Sequence, residues 1–236
     1  MSAPVLELQD VSKDYQGLRP LRISSLAISP GEQVALVGFD QMTAEVFVNL
    51  VTGASLPDRG EIRLFGRATS AITDSDDWLA SVDKFGIVSR RAVLLDALTV
   101  VQNLAMPYTL EVEPPSAGMR DRAIALAREV GLPESSLDRP VGELDGLGVF
   151  RVRLARAIAL DPAILVFEHP TADVARSDIA ELASRCRDVA SGRTIATVVL
   201  TADREFAGAS ASRVLMLDPA SGRLTAGGWL SRFLRA

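Results

Sequence analysis

Cysteine is almost missing from this 236-residue chain, and Cys186 stands alone. Its solitude excludes an internal disulfide and any multi-cysteine metal site, and fits a reducing compartment. There is no excess of basic residues. With 25 Lys and Arg against 30 Asp and Glu, the formal net charge is −5, which gives nucleic acid no overall positive field to follow. Apolar residues never run uninterrupted for the roughly 18 positions that a membrane-crossing helix needs. The start, Met1-Ser2-Ala3-Pro4-Val5-Leu6-Glu7-Leu8, has neither the basic opening nor the apolar run of about 7–15 residues of a secretory leader. No internal repeat and no low-complexity linker is found. A soluble or peripheral protein is expected.

Hydrophobic residues make up 48% of the chain, enough for a sizeable core, and one α/β domain is the default at this length. Val5 to Leu8 alternates like an edge strand, with a turn from Val11 to Gly17, and Leu21 to Ile28 alternates again. Val34 to Val37 is continuously apolar, as in a strand buried on both faces, and a helix is predicted from about Thr43 to Val51. Strands follow at Glu61–Gly66 and Phe85–Val88, with a short helix at Trp78–Val82 between them. From Leu98 to Val130 the pattern turns helical, broken by Pro107, Pro114 and Pro115. Helices at about Phe150–Leu160 and Arg176–Ala190 flank a strand at Ile164–Phe167. A β-branched strand at Thr194–Leu200 and a terminal hairpin, Val214–Leu217 with Arg223–Ala226, complete the chain. Strands alternating with helices predict a mostly parallel sheet wrapped by helices.

The run Gln33-Val34-Ala35-Leu36-Val37-Gly38, then Phe39 to Glu45 and an apolar helix, has the frame of a phosphate-binding loop of the pattern GxxxxGK[ST]. Such a loop holds its anion with backbone N–H groups, glycines, a lysine charge and a hydroxyl directed at Mg²⁺. Here Thr43, Ala44 and Glu45 stand where the second glycine, the lysine and the hydroxyl belong, and Asp40 adds another acid. Two like charges about 4 Å apart repel by roughly 4 kcal/mol at an effective dielectric near 20. Triphosphate binding of the ordinary kind is therefore expected to be severely weakened. Asp40 or Glu45 can equally serve as the cap of the helix N-terminus, where an acid is favoured by about 0.3–1 kcal/mol.

Several stretches, in order, resemble the ATP-binding subunit of ABC transporters. Gly31 to Gly38 is similar to the approach to its phosphate loop, and Leu98 to Pro107 to its LTVxENVxxP run. Glu143-Leu144-Asp145-Gly146-Leu147-Gly148 followed by Arg151 to Ala157 resembles ELSGGQ and RVALARA, and Ile164 to Thr171 resembles LLLLDEPT. The look is nearest to the compact bacterial subunits of lipid, lipoprotein or peptide exporters. The resemblance implies one domain over 1–236 with a mostly parallel P-loop NTPase-type sheet, an antiparallel β portion and a helical lobe. The core lobe would take about 1–85 and 148–236, and the helical lobe about 86–147. It also implies integral membrane transporter subunits as partners, a second ATP-binding subunit or another copy of this chain, and residence on the cytoplasmic face of the inner membrane.

By the same resemblance the functional positions are altered. The Walker B carboxylate corresponds to Glu168, a longer acid that could still hold Mg²⁺. The water-polarising glutamate is His169, the only histidine. The Q-loop glutamine is Arg90, the signature serine Asp145, the switch histidine Ala202 and the D-loop aspartate Ala175. Tyr15 stands where an aromatic stacks on adenine, and with Gly38 it is the residue left for a nucleotide. Arg90 and Arg91 are the candidate charges for docking a partner, within a stretch of about Arg90 to Tyr108. The leading expectation is a degenerate subunit that needs no cofactor and acts through assembly. Two alternatives stay open. One is a working ATPase that uses Tyr15 for adenine, Glu168 for Mg²⁺ and His169 as base; the other is a free-standing regulatory module.

Overall fold

The computed structural model describes residues 3–226, so residues 1–2 and 227–236 of the expected domain lie outside the described residues. β1 (Leu6–Lys13) lies between β2 (Leu21–Ile28) and β4 (Arg59–Leu64), antiparallel to both, with the short β5 (Arg67–Ala68) beyond β4. The first strand is therefore central where an edge was expected. It also continues to Lys13, into the first residues of the turn expected from Val11 to Gly17, because Leu6, Leu8 and Val11 all reach the core.

The second sheet has six strands: β3 (Gln33–Val37), β6 (Phe85–Val88), β7 (Ile164–Glu168), β8 (Ala196–Thr201), β9 (Arg213–Leu217) and β10 (Leu224–Ala226). Their order is β10-β9-β3-β8-β7-β6, parallel from β9 to β6 with β10 antiparallel to β9. All residues of β3, β7 and β8 are buried, as expected for strands covered on both faces. The period of two divides them between two cores. Val34, Leu36, Ile164, Val166, Val198 and Leu200 face the cluster beneath the antiparallel sheet, while Ala35, Val37, Leu165, Phe167 and Val199 face the opposite one.

Helix α1 (Gln41–Val51) packs Ala44, Phe47, Val48 and Val51 into the first cluster. After α2 (Ser75–Val82), helices α3 (Val100–Ala105), α4 (Ala117–Glu129) and α5 (Gly146–Ile158) pack on one another and into the second cluster. α6 (Ile179–Arg193) and α7 (Arg204–Ser210) cover the rest of that face. α7 was not anticipated from the sequence. β6, which spans the expected start of the helical lobe at about residue 86, pairs with β7 in the main sheet. Among the described residues, no helix is long and apolar enough to cross a membrane.

Candidate functional site

The parallel strands β3, β7 and β8 end side by side, which brings Gly38, just after β3, and Glu168 and Thr201, the last residues of β7 and β8, to one edge, where open α/β sheets generally bind ligands. Gly38 has φ +100°, and a Cβ there would lie 3.3 Å from the Leu217 carbonyl oxygen, so the turn needs glycine. Phe39 then turns inward. It is 1% exposed and meets Phe47 edge to face, with centroids 5.7 Å apart at 81°.

Asp40 caps α1. Its Oδ1 accepts from the Thr43 backbone N–H at 2.8 Å and from the Thr43 hydroxyl at 2.7 Å, while the Asp40 N–H donates to Thr43 Oγ1 at 2.9 Å. This is a reciprocal capping box with the acid and hydroxyl exchanged relative to the common S/T-x-x-E order. It starts the helix at Gln41, two residues before the predicted Thr43, so Gln41 and Met42 are wound into α1 instead of remaining in a loop. The Thr43 hydrogen bonds, backbone first and side chain second, hold the Asp40 carboxyl below the usual carboxylate range, with His169 adding a smaller pull in the same direction. Ala44 is fully buried in the apolar cluster.

Glu45 does not cap the helix. It pairs with Arg91, Nη1 to Oε1 at 3.2 Å. The same guanidinium forks onto Glu168: Nη2 meets Oε1, and Nε donates to Oε2 at 3.2 Å. Ser89 donates its hydroxyl to Glu168 Oε2 at 2.8 Å and accepts the Arg91 N–H at 3.1 Å. The Glu168 side chain is 8% exposed, a burial that an ionised carboxylate tolerates only when paired and hydrogen-bonded, as it is here. Arg91, a candidate charge for docking a partner, is 39% exposed and pairs with two acids of the site.

Arg90 points elsewhere and pairs with Asp173 at 3.0 Å; Arg153 reaches the same carboxylate at 4.0 Å. Asp145 caps α5, accepting the Gly148 N–H at 2.7 Å. Gly146 follows because a Cβ there would fall 1.8 Å from the Asp173 carbonyl oxygen. His169 sits at the end of β7 with φ +45° and donates its backbone N–H to Leu200 O at 2.9 Å. Its Nε2 is buried with no hydrogen-bond partner among the described residues. Ala202 is exposed, and beside it Asp203 caps α7 and pairs with Arg176 at 3.1 Å. The Tyr15 ring lies over Gly17 and against the apolar cluster; burial, and then the charge of Asp40, push its phenol pKa up. A cleft of about 1470 Å³ opens across this edge, lined among others by Ser89, Arg91, Glu168, His169, Ala202 and Arg204.

Residues 21–172 match the family model described as ABC transporter, nearly two thirds of the chain. The chain belongs to the ABC transporter family. It is 29% identical over 224 residues to the lipoprotein-releasing system ATP-binding protein LolD of Coxiella burnetii, covering 92% of this chain and 94% of that one. It is 26% identical over 217 residues to the methionine import ATP-binding protein MetN of Brucella abortus, covering 92% of this chain and 58% of the relative. The ABC transporter H family member 2 of Dictyostelium discoideum is 29% identical over 204 residues, and this chain spans only 40% of its length. Among solved structures, cbiO1 from Clostridium perfringens superposes with a TM-score of 0.81 at 19% identity over 99% of this chain and 91% of that one. A dimeric bacterial ABC transporter cassette superposes with a TM-score of 0.73 at 23% identity, over 93% and 96%. Both share the fold, and the resemblance to compact bacterial ATP-binding subunits holds.

Glu45 and Glu168, both singled out from motif order in the sequence, are joined by Arg91, one residue beyond Arg90. Sequence reasoning placed the two acids but missed Arg91 as their link, and missed Ser89 altogether. No local signal marks either residue. The D-x-x-T spacing of Asp40 and Thr43 was readable as a cap, although not in its reversed form. Asp173, at the hub of Arg90, Arg153 and Gly146, was not singled out from the sequence.

Proposed function

We propose that this chain is an ATP-binding-cassette subunit of a transporter in which the nucleotide site has lost catalysis. It serves as a structural or regulatory partner on integral membrane subunits at the cytoplasmic face, paired with an intact cassette or a second copy of itself. The observation that carries this reading is the Arg91 guanidinium between Glu45 and Glu168. A magnesium triphosphate needs unpaired N–H donors, a lysine and open oxygen ligands. The chain's own groups do not fit it. Asp40 takes up the Thr43 N–H in the first turn of α1, Ala44 brings no charge, and Glu168 is already held by Arg91 and Ser89. The names of the relatives span lipoprotein release and methionine import, so the likeness supports the cassette and not the cargo.

The purified chain is expected to show no ATPase activity and no thermal stabilisation by Mg·ATP, because a ligand that binds the native state raises its stability by mass action. Tight calorimetric binding of Mg·ATP would refute the reading. A working, remodelled site draws on one observation, the unbonded His169 Nε2 on the cleft wall. On that reading Mg·ATP stabilises the chain and His169→Ala abolishes turnover. Co-purification with an integral membrane protein separates a transporter subunit from a free-standing module.

A further inference from the structure

Besides the Arg90–Asp173 pair and the backbone bonds that Val141 N–H gives to Leu98 O and Gly142 N–H to Asp96 O, both at 3.0 Å, side chains tie loop 89–99 at its start, middle and end. At its start, Arg91 is held by Glu45 and Glu168, and Ser89 by Glu168. In the middle, Arg156 of α5 donates Nη1 to the Val93 carbonyl at 2.7 Å. Near its end, Asn103 of α3, fully buried, accepts the Leu95 N–H at 3.0 Å. The same carboxamide donates to the carbonyls of Leu95 at 3.0 Å, Leu98 at 3.3 Å and Thr99 at 3.1 Å. The Arg156 and Asn103 ties use only the loop and the helices beside it. The Arg91 tie crosses the candidate nucleotide site and joins α1, β7 and the loop through one cation.

We infer that Arg91 is the resident cation of this site, a built-in replacement for a bound ligand that holds loop 89–99 in one position whatever nucleotide is present. The charges account for this. Glu45 and Glu168 place two acids at one point, and a guanidinium that forks onto one and touches the other neutralises them with fixed geometry. Removing it leaves Glu168 buried without a counter-charge, which favours opening of the strand end to water. Lysine does not substitute, since its point charge cannot form the fork. A loop set in this way presents Val93 and Leu95, both exposed, on an unchanging surface. The pairing partner of an always-set loop would have to supply all of the nucleotide response. The inference deepens the proposed function and rests on it only in denying the nucleotide a role in the loop.

Hydrogen exchange of backbone amides 89–99 in the full chain, with and without Mg·ATP, tests it. The wild type is expected to exchange identically in both conditions. Arg91→Ala is expected to raise exchange of 89–95 about tenfold or more while amides of β8 stay protected, because local opening and global stability are separate readouts. Arg91→Lys should fall nearer to alanine than to wild type. Should Arg91→Ala not fold, Glu45→Gln, at a half-exposed side chain, removes one arm and should raise exchange to a smaller extent. Unchanged exchange in Arg91→Ala, or in Glu45→Gln where only that variant folds, overturns the inference, as does Mg·ATP altering exchange of the wild-type loop. Calorimetry on the same samples keeps the two readings apart. Mg·ATP binding with an unmoved loop defeats the proposed function and leaves the inference standing; no binding with an Arg91-independent loop does the reverse.

Discussion

Asp40 and Ala44 are four residues apart, and each supports the fold while disfavouring anion binding. Asp40 closes the end of α1, and capping residues replaced by alanine typically cost about 0.5–2 kcal/mol. Asp40→Ala is therefore expected to lower unfolding free energy by about 1 kcal/mol in urea titration, whereas Asp40→Asn, which can still accept the Thr43 N–H, should cost much less. The pH dependence has a definite sign. The folded-state pKa of Asp40 is depressed, so its charge-dependent stabilisation is present above the unfolded value of about 3.9 and is lost as pH falls through the folded value. The gap between wild type and Asp40→Asn should accordingly be seen at roughly pH 7 and close only as pH falls below the unfolded value and through the folded one. Ala44 tests whether the site can be restored one residue at a time. A lysine at this fully buried position must fit into a packed cluster, and overpacking costs about 1–3 kcal/mol. Ala44→Lys should lower the melting temperature and confer no Mg·ATP binding in calorimetry, because Asp40, Glu45 and Arg91 stay in place. Nucleotide-dependent stabilisation of that variant would count against the lost-site reading.

At the scale of elements, α5 depends on how closely its first turn approaches the loop after β7. Asp145 caps it, and Gly146 lets the Asp173 carbonyl come within a distance no side chain permits. Gly146→Ala should separate the two segments and destabilise the chain by about 1–3 kcal/mol or more, with the Arg90–Asp173 pair broken. Gly118→Ala is the control, since a Cβ there meets open space. Equal melting temperatures for the two variants would mean that the close approach does not matter. This region also marks how far the sequence could be read. Strands β3, β7 and β8 were legible because short unbroken runs of Val, Leu and Ile between turn residues suit a strand buried on both faces. The identity of the acids at Glu45 and Glu168 was legible from motif order. Their neutraliser was not, since Arg91 meets them across 46 and 77 positions of chain, and only the packing of β6 beside β7 brings them together. α7 escaped notice for a related reason: seven residues with Gly208 among them carry little periodicity, and Phe206 and Ala207 acquire their burial from the β3, β8 and β9 strands beneath.

At the scale of the whole molecule, the proposed function makes an asymmetric claim about a pair of cassettes. If the nucleotide-responding site of a complex belongs to the other cassette, the lysine of that cassette's phosphate loop carries turnover. Its substitution should bring ATPase activity to background, because loss of a charge that stabilises the transferring phosphoryl group removes several powers of ten. In this chain the matching experiment is His169→Ala. The imidazole Nε2 has no hydrogen-bond partner to lose among the described residues, and the backbone N–H that ties residue 169 to Leu200 is retained by alanine. Activity of the complex should then stay within about twofold of wild type, under about 0.4 kcal/mol of barrier. Tyr15→Ala should do the same if the ring serves packing over Gly17 and not adenine, with a small fall in melting temperature as its only trace. The two variants separate the readings without identifying the cargo. A loss of turnover of a hundredfold or more on His169→Ala, about 2.7 kcal/mol, would place a base in this chain and return the ATPase to it.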